Sequence, residues 1–272
     1  PTVERFYKPG QKVTVELDVK NVKTLIRKIY RINSLKYYQE MGESVPLSLD
    51  LDGLVANEQE SITYDEAPLR RVRRSFELPQ LDARGVYVVE FIGAGKRSRA
   101  LIQKGRLAYV VKTTPAGQEF TVLDEDNKPL PTARIWMAGR YYDAAKDAAI
   151  TLPFSTSPGN QKIVLVSGEF SSLTSFDHKS ESYSLECGFF VPREALVAGR
   201  DATVVVRPEL KLAGEPVSLK LLKDVVLSVT STDIDGVNST QRVEDFKIFE
   251  DRESTHTFQT PQRLGRISFA LT

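Results

Sequence analysis

A short motif that occurs three times most constrains the fold of this chain. Gly10-Gln11-Lys12-Val13-Thr14-Val15 recurs as Gly117-Gln118-Glu119-Phe120-Thr121-Val122 and as Gly199-Arg200-Asp201-Ala202-Thr203-Val204. Glycine suits a turn, and the alternation of apolar and polar residues after it is typical of a half-buried strand. The copies lie 117 − 10 = 107 and 199 − 117 = 82 residues apart, a spacing that suits β-sandwich domains of about 100 residues. The repeat therefore predicts β-sandwiches in tandem.

The other segments also favour an all-β chain of antiparallel sandwiches. We expect domains over residues 1–105, 106–192 and 193–272, with boundaries near Gly105 and Pro192. In the first domain, strands flank Gly93-Ala94-Gly95-Lys96, which has the form of a hairpin turn. The strands predicted for the second and third domains cover residues 120–123, 133–137, 162–166 and 186–191, then 203–206, 217–221, 225–230, 244–249, 256–258 and 266–271.

One stretch departs from the β pattern. Apolar residues between Leu25 and Tyr38 recur at spacings that fit a helix in part and a strand in part. We expect a strand up to about Asn33, followed by a short helix from Ser34 to Met41.

Composition limits the function classes that this chain can serve. With 37 basic against 36 acidic residues, the net charge is +1, whereas a general nucleic-acid binder needs a basic excess, so we expect no nucleic-acid partner. No apolar run approaches the roughly 20 residues of a transmembrane helix, so we expect none. The chain starts at Pro1 without an initiator Met, which favours a piece of a longer chain.

A pair of residues, His178 and Cys187, is the one candidate for nucleophilic catalysis. The two lie nine residues apart and are the materials of a thiol–imidazole pair, if folding brings them together. The run around Cys187 has the form of a strand, where a lone cysteine is usually a small buried hydrophobe, and we favour that interpretation. A single cysteine also excludes an internal disulfide and a cysteine-built metal site. Since no enzyme motif occurs, we expect no catalytic activity, no catalytic or cofactor-binding residue and no cofactor.

Three acidic turns suggest calcium, although none has the spacing of an EF-hand loop. Asp-Gly and Asp-Asn pairs are ordinary turn residues because they tolerate positive φ, so we expect no metal site. The three turns are Asp50-Leu51-Asp52-Gly53, Asp124-Glu125-Asp126-Asn127 and Asp233-Ile234-Asp235-Gly236.

Two surface motifs allow other interactions. The basic run Leu69-Arg70-Arg71-Val72-Arg73-Arg74 can meet an acidic partner or a phosphate backbone through its guanidinium groups. We favour a solvated face, neutralised by the acidic stretch from Asp50 to Glu66. Asn238-Ser239-Thr240 matches a glycosylation acceptor, which matters only in a eukaryotic secretory setting.

Several stretches in order carry a family resemblance. Residues 85–90 have the form of a strand that closes one module, and residues 98–102 and 112–117 the form of a crossing into the next. Residues 120–136 then contain a strand, a turn, a proline and a further strand, and residues 193–208 end in Arg207-Pro208. In this pattern the chain resembles the macroglobulin-domain arrays of alpha-2-macroglobulin-like proteins, in particular the bacterial type. The resemblance implies tandem immunoglobulin-like (macroglobulin-type) sandwiches located outside the cytoplasm, in the periplasm, at the cell surface or secreted.

The resemblance also implies a function, the inhibition of proteases by entrapment. Cys187-Gly188 is followed by Phe189-Phe190 instead of Glu-Gln, so no thioester is expected here. Residues 142–158 are a loop-rich candidate for a cleavable bait, but they lie inside a module. We therefore expect a scaffold segment with bait and reactive site elsewhere, and as partners the rest of the parent chain and, for an inhibitor, proteases. The alternatives are a non-inhibitory array for adhesion or surface architecture, or an accessory module of an enzyme.

Overall fold

A computed structural model describes residues 3–65, 67 and 69–272 of the chain. The described chain is almost entirely β-structure, which confirms the predicted fold class. It contains one α-helix, α1 (Ser34–Met41), and 3₁₀ turns at Arg193–Ala195 and Leu219–Leu221. The strands are β1 (Val3–Tyr7), β2 (Thr14–Lys20), β3 (Thr24–Ile32), β4 (Glu58–Thr63), β5 (Arg71–Glu77), β6 (Gly85–Gly93), β7 (Lys96–Lys104), β8 (Ala108–Thr114), β9 (Gly117–Leu123), β10 (Arg134–Met137), β11 (Arg140–Asp143), β12 (Ile150–Leu152), β13 (Gly159–Ser167), β14 (Phe170–His178), β15 (Tyr183–Phe190), β16 (Asp201–Leu212), β17 (Glu215–Val217), β18 (Leu227–Asp233), β19 (Asn238–Val243), β20 (Ser254–Gln259) and β21 (Leu264–Leu271).

The first sandwich consists of the sheet β1-β7-β6-β3-β4 and the two-stranded sheet β2-β5. Its core lies between them, because the alternating apolar residues of β2 face those of β3, β6 and β7. The expected hairpin is confirmed: β6 ends at Gly93 and β7 begins at Lys96. One pairing differs from the antiparallel expectation, since β1 runs parallel to β7. Strand β1 lies at the edge of this sheet, next to β7, which is the last strand of the sandwich in the sequence.

The second sandwich pairs the sheet β11-β10-β13-β14 with the sheet β12-β9-β8. Its core contains Phe120, Ile135, Ile150 and Ile163, all with 0% exposure. Burial of each such side chain contributes about 1.5–3 kcal/mol. The repeat glycines have the expected role, because all three have positive φ at or just before a strand. At Gly117 a Cβ atom would collide with the carbonyl oxygen of Leu152, so that strand start tolerates no side chain.

The third sandwich contains β15-β16-β17, with β20 also paired to β16, and the sheet β19-β18-β21. Three predictions differ from the structure here. Residues 186–191, expected in the second domain, lie mostly in β15, which pairs with β16. Residues 244–249 form no strand, because Asp245 has a φ of 50° and ends β19 in a turn. Residues 217–221 are mostly a 3₁₀ turn, capped where the Ser218 hydroxyl accepts a hydrogen bond from the Lys220 amide at 3.2 Å.

Contacts divide the chain into two compact units, the first comprising Pro1–Lys112 and Ala116–Lys179 and the second Thr113–Pro115 and Ser180–Thr272. The first unit therefore holds two sandwiches and the second unit holds the third. The domain limits near residues 105 and 192 stay predictions. Among the described residues, no helix has the length and apolarity of a membrane span.

Candidate functional site

His178 and Cys187 each have a structural role. The imidazole of His178 is buried, and its Nε2 lies 2.9 Å from the carbonyl oxygen of Pro153. Cys187 is half-buried against the core of the third sandwich, and this burial raises the pKa of its thiol. A raised pKa disfavours the thiolate, which is the nucleophilic form. No hydrogen bond among the described residues joins the two, and the absence of enzymatic activity stays a prediction.

The three acidic turns close on their own backbone. In each turn the first aspartate accepts hydrogen bonds from amides farther along the chain, such as those of Asp126 and Lys128, both at 2.9 Å from Asp124 Oδ1. Asp50 and Asp233 accept equivalent bonds from Asp52 and Asp235. This is the Asx-turn geometry. Among the residues that the structure covers, no group of three potential ligands lies close enough to hold a metal ion.

The basic run forms most of strand β5, and its arginines point to different partners. Arg71 and Arg73 are exposed and both bind Asp18 on β2, at 2.8 Å and 3.1 Å. Arg74 lies over the ring of Tyr64, with 4.4 Å from its guanidinium carbon to the ring centre. Arg71 and Arg73 are thus neutralised by Asp18. The expected neutralisation of the run by the stretch from Asp50 to Glu66 stays a prediction, because Glu66 lies outside the described residues. The glycosylation motif lies on β19, where Asn238 Oδ1 accepts a hydrogen bond from Thr232.

The structure reveals a site that the sequence analysis missed, a joint between the first two sandwiches. Strand β6 contributes Tyr87 and Val89 to the first core and turns Val86 and Val88 outward. Strand β13 does the same with Ile163 and Leu165 inside the second core and Val164 and Val166 outside. These outward residues share a third apolar core, which we call the joint core. Its buried members are Tyr30, Tyr38, Val45, Leu51, Val86, Val88, Leu101, Val164 and Val166.

Helix α1 fills the joint core from one side. The Asn33 side chain caps its first turn by accepting from the Lys36 amide at 3.1 Å. Gly42, with a φ of 63°, ends it by donating to the Tyr38 carbonyl oxygen at 2.9 Å. Between these caps, Tyr38 is buried in the joint core, and the Ser34 hydroxyl lies 2.9 Å from that of Ser171 on β14. The sequence predicted this helix with the same limits, but not what it packs against.

Polar contacts fix the same joint at its edge. Arg84 binds Glu125 with two hydrogen bonds, Nε to Oε1 at 3.1 Å and Nη2 to Oε2 at 2.6 Å. Glu125 Oε1 also accepts from the Arg106 amide at 2.8 Å, and the Leu107 amide donates to Ser172 at 3.0 Å. The Glu125 side chain is only 8% exposed. Two-pronged arginine–carboxylate pairs fix orientation as well as distance, so this pair sets the angle between the two sandwiches.

The joint core should respond to alkaline pH. Burial raises the pKa of Tyr38 above its ordinary value of 10.0, and burial followed by the charge of Glu90 raises the pKa of Tyr30. A raised pKa means that the folded state favours the neutral phenol. The stability that these two buried rings contribute is therefore complete below pH 10.0 and is lost as the pH rises through the pKa of the folded state. We expect unfolding of the joint above pH 10.0, followed by tyrosinate absorbance and by fluorescence of Trp136, which packs against this core. Tyr38→Phe should make the loss of stability at alkaline pH less steep. An unchanged dependence of stability on pH would contradict this prediction.

Comparisons with known proteins match the two ends of the chain to domain models. Residues 25–105 match the model described as the AbpF first immunoglobulin-like domain, and residues 192–272 match the AbpF third immunoglobulin-like domain. The chain is also 34% identical, over 98% of its length, to actin-binding protein F of Dictyostelium discoideum. It spans 12% of the length of that relative.

Solved structures give a weaker likeness. A fragment of alpha-2-macroglobulin from Escherichia coli spanning domains MG0-NIE-MG1 is 12% identical, with 61% of this chain and 59% of that chain covered and a TM-score of 0.38. The native conformation of the same E. coli protein is also 12% identical, with 94% and 18% covered and a TM-score of 0.34. These values support no argument for an alpha-2-macroglobulin-like protein. The chain is thus built of immunoglobulin-like β-sandwiches, and its residues 25–105 and 192–272 match the first and third domains of the AbpF type.

Proposed function

We propose that this chain is a segment of a longer, non-inhibitory array of immunoglobulin-like domains, in a protein that binds actin filaments. Within that array, the first two sandwiches act as one stiff spacer. The observation that carries the proposal is the joint core, which two sandwiches share. Linked domains otherwise move relative to each other by default, unless the interface is large and apolar. A stiff unit sets a fixed spacing between whatever the flanking domains bind.

The relative supports the actin-binding part of this proposal. That protein is named actin-binding protein F, and the 34% identity covers 98% of this chain, including both sandwiches of the spacer. Since the chain spans 12% of that protein, we assign filament binding to the parent chain and spacing to this segment. The extracytoplasmic location stays a prediction; actin filaments lie inside cells, so imaging a tagged parent chain decides between the two locations.

Entrapment of proteases is the second reading, and the joint counts against it. Entrapment requires neighbouring modules to rearrange after a cut in an exposed segment. Of the bait candidate, residues 142–158, Ile150 and Leu152 are fully buried in the second core, and β12 pairs with β9. Cleavage beside Ile150 or Leu152 would require the second sandwich to open, whereas residues 145–147 and 156–158 of the same segment are exposed, as the preferred sites of proteolysis are.

Co-sedimentation with actin filaments tests the proposal. We would compare the parent chain, the parent with residues 1–179 replaced by a flexible Gly-Ser linker, and the parent carrying Arg207→Ala as a matched surface control. We expect all three to pellet with filaments, but only the linker variant to give widely scattered filament-to-filament distances in electron micrographs. Flexible linkers lack a fixed end-to-end distance, which explains that scatter.

Two results would overturn the proposal. One is a parent chain that stays in the supernatant at filament concentrations that pellet a known actin binder. The other is trapping of a protease by the parent, in which hydrolysis of large protein substrates stops while hydrolysis of small peptide substrates continues. Unchanged filament distances in the linker variant would remove the spacer role alone.

A further inference from the structure

The first sandwich has an open cleft at one end, between its two sheets. Strands β2 and β5 line it on one side, and the β6–β7 hairpin with the start of β3 on the other. The cleft has a volume of about 800 Å³. It lies apart from the joint core, since none of its lining residues belongs to that core.

The rim of this cleft is strongly basic. Four of its lining residues are cations, and one, Asp18, is an anion, which gives 4 − 1 = +3. The whole chain has a net charge of only +1, so positive charge is concentrated here. An adjoining cavity shares Val19, Asn21 and Val22 with this one, and its charged lining residues are two further cations, Lys23 and Arg70, and one anion, Asp65. The four rim cations are Lys20, Arg71, Lys96 and Arg97.

Most of the rim charge is free to meet a partner. Arg71 and Arg73 already hold Asp18, and hydrogen bonds from Arg73 and then Arg71 lower the pKa of that carboxyl group. Lys20, Lys96 and Arg97 are exposed, and within the described part of the chain no carboxylate lies at ion-pair distance from them. Exposed like charges around a cleft raise the local concentration of an opposite charge and speed its association.

The hairpin holds two of these cations in place. Ala94 and Gly95 both have positive φ, 48° and 72°, which is the two-residue turn whose twist matches that of paired strands. At Gly93, a Cβ atom would lie 2.7 Å from a methyl group of Val22, so Val22 closes directly over the strand end. Lys96 and Arg97 are therefore displayed from a short turn, and little backbone entropy is lost when a partner binds.

The floor of the cleft is apolar and includes Val22, Leu25 and Phe91. A phosphate group would satisfy the cations but leave this floor uncovered, and it would fill a small part of the volume. A peptide with carboxylates on both sides of an apolar side chain would use both features. We propose that the cleft binds an acidic peptide segment of a partner protein, with an apolar side chain on its floor. This inference is independent of the spacer role, because none of the residues that line the cleft belongs to the joint core.

Fluorescence anisotropy of the full chain tests this proposal. The probe is a fluorescein-labelled peptide of aspartate and glutamate with one central phenylalanine. The variant carries Lys20→Glu, Lys96→Glu and Arg97→Glu, all at exposed positions that leave the fold intact. The matched control carries Lys12→Glu, Lys146→Glu and Lys223→Glu, which change the net charge equally at other exposed sites.

We expect saturable binding that weakens with added salt. The rim variant should bind at least about tenfold more weakly than the unsubstituted chain, because it loses the charges that complement the peptide. The affinity of the control variant should lie within about twofold of that of the unsubstituted chain. Replacing the phenylalanine of the peptide by glycine should weaken binding about threefold or more, since it removes the apolar contact. Equal loss in both triple variants, or no effect of the phenylalanine, would overturn the proposal. So would inorganic phosphate or phosphatidylserine vesicles binding at the rim while the peptide does not.

Discussion

Tyr38→Ala should lower the free energy of unfolding of the first unit by about 3–5 kcal/mol, the usual range for truncating a large buried ring. Tyr38 is 3% exposed and lies in the joint core, so its removal leaves a cavity between the two sandwiches. The measurement is urea unfolding followed by fluorescence of Trp136, the one tryptophan of the chain, which packs against the same core.

Two control variants separate this effect from a general loss of stability. Phe6→Ala removes an aromatic ring in the same unit at a position that is 49% exposed, and should change stability by no more than about 0.5 kcal/mol. Phe258→Ala weakens the core of the third sandwich and should leave the Trp136 transition unchanged. A Tyr38→Ala variant that unfolds at the same urea concentration as the unsubstituted chain would show that the joint core contributes no stability.

Arg84→Ala should destabilise the same unit by about 2–3 kcal/mol. In the ion pair with Glu125, the Arg84 side chain is 34% exposed and the Glu125 side chain 8% exposed. The expected loss therefore lies between that of breaking an exposed ion pair and that of breaking a buried one. Most of the loss comes from Glu125, whose buried carboxylate then keeps, among the described residues, only the Arg106 amide as a hydrogen-bond partner. The midpoint of urea unfolding, again from Trp136, gives the change.

Exposed ion pairs provide the comparison for Arg84. Arg207→Ala breaks the ion pair with Glu253, in which the two side chains are 74% and 47% exposed. It should lower the free energy of unfolding by less than about 1 kcal/mol. Arg84→Met combined with Glu125→Leu should cost less than Arg84→Ala alone, because no charge is left buried without a partner. A loss from Arg84→Ala no larger than that from Arg207→Ala would mean that the pair does not fix the joint.

Alternation in the sequence was enough to predict the sandwiches. Val13, Val15, Leu17 and Val19 are all buried, as their two-residue period requires. Helix α1 was also predictable, because Asn33 and Gly42 are residues that begin and end helices. The turn at Asp245 was missed, since an aspartate with positive φ resembles any other aspartate in the sequence.

The joint core left a signal in the sequence that an alternation argument overlooks. Residues 86–89 and 163–166 are unbroken apolar runs, which is typical of strands buried on both faces. A sandwich strand needs only one apolar face, so each run indicates a second surface to be covered. The Arg84–Glu125 pair left no such signal, because Glu125 lies in an acidic turn whose residues were explained by turn geometry alone.

The assignment of residues 186–191 to the second sandwich failed for a different reason. In β15 half-buried and exposed positions alternate, so its pattern fits the edge of either neighbouring sandwich. Which sheet such a strand joins depends on pairing between distant residues, here with β16, and periodicity carries no information about the partner.

The central claim, that two sandwiches form one stiff body, is tested most directly by a distance between two spin labels. In a Cys187→Ser background, which removes the single native thiol, Lys12→Cys labels the first sandwich and Lys146→Cys the second, both at exposed positions. The joint predicts one narrow distance distribution, no wider than label rotation gives, which broadens when Tyr38→Ala and Arg84→Ala are added. A broad distribution without those two substitutions would contradict the claim.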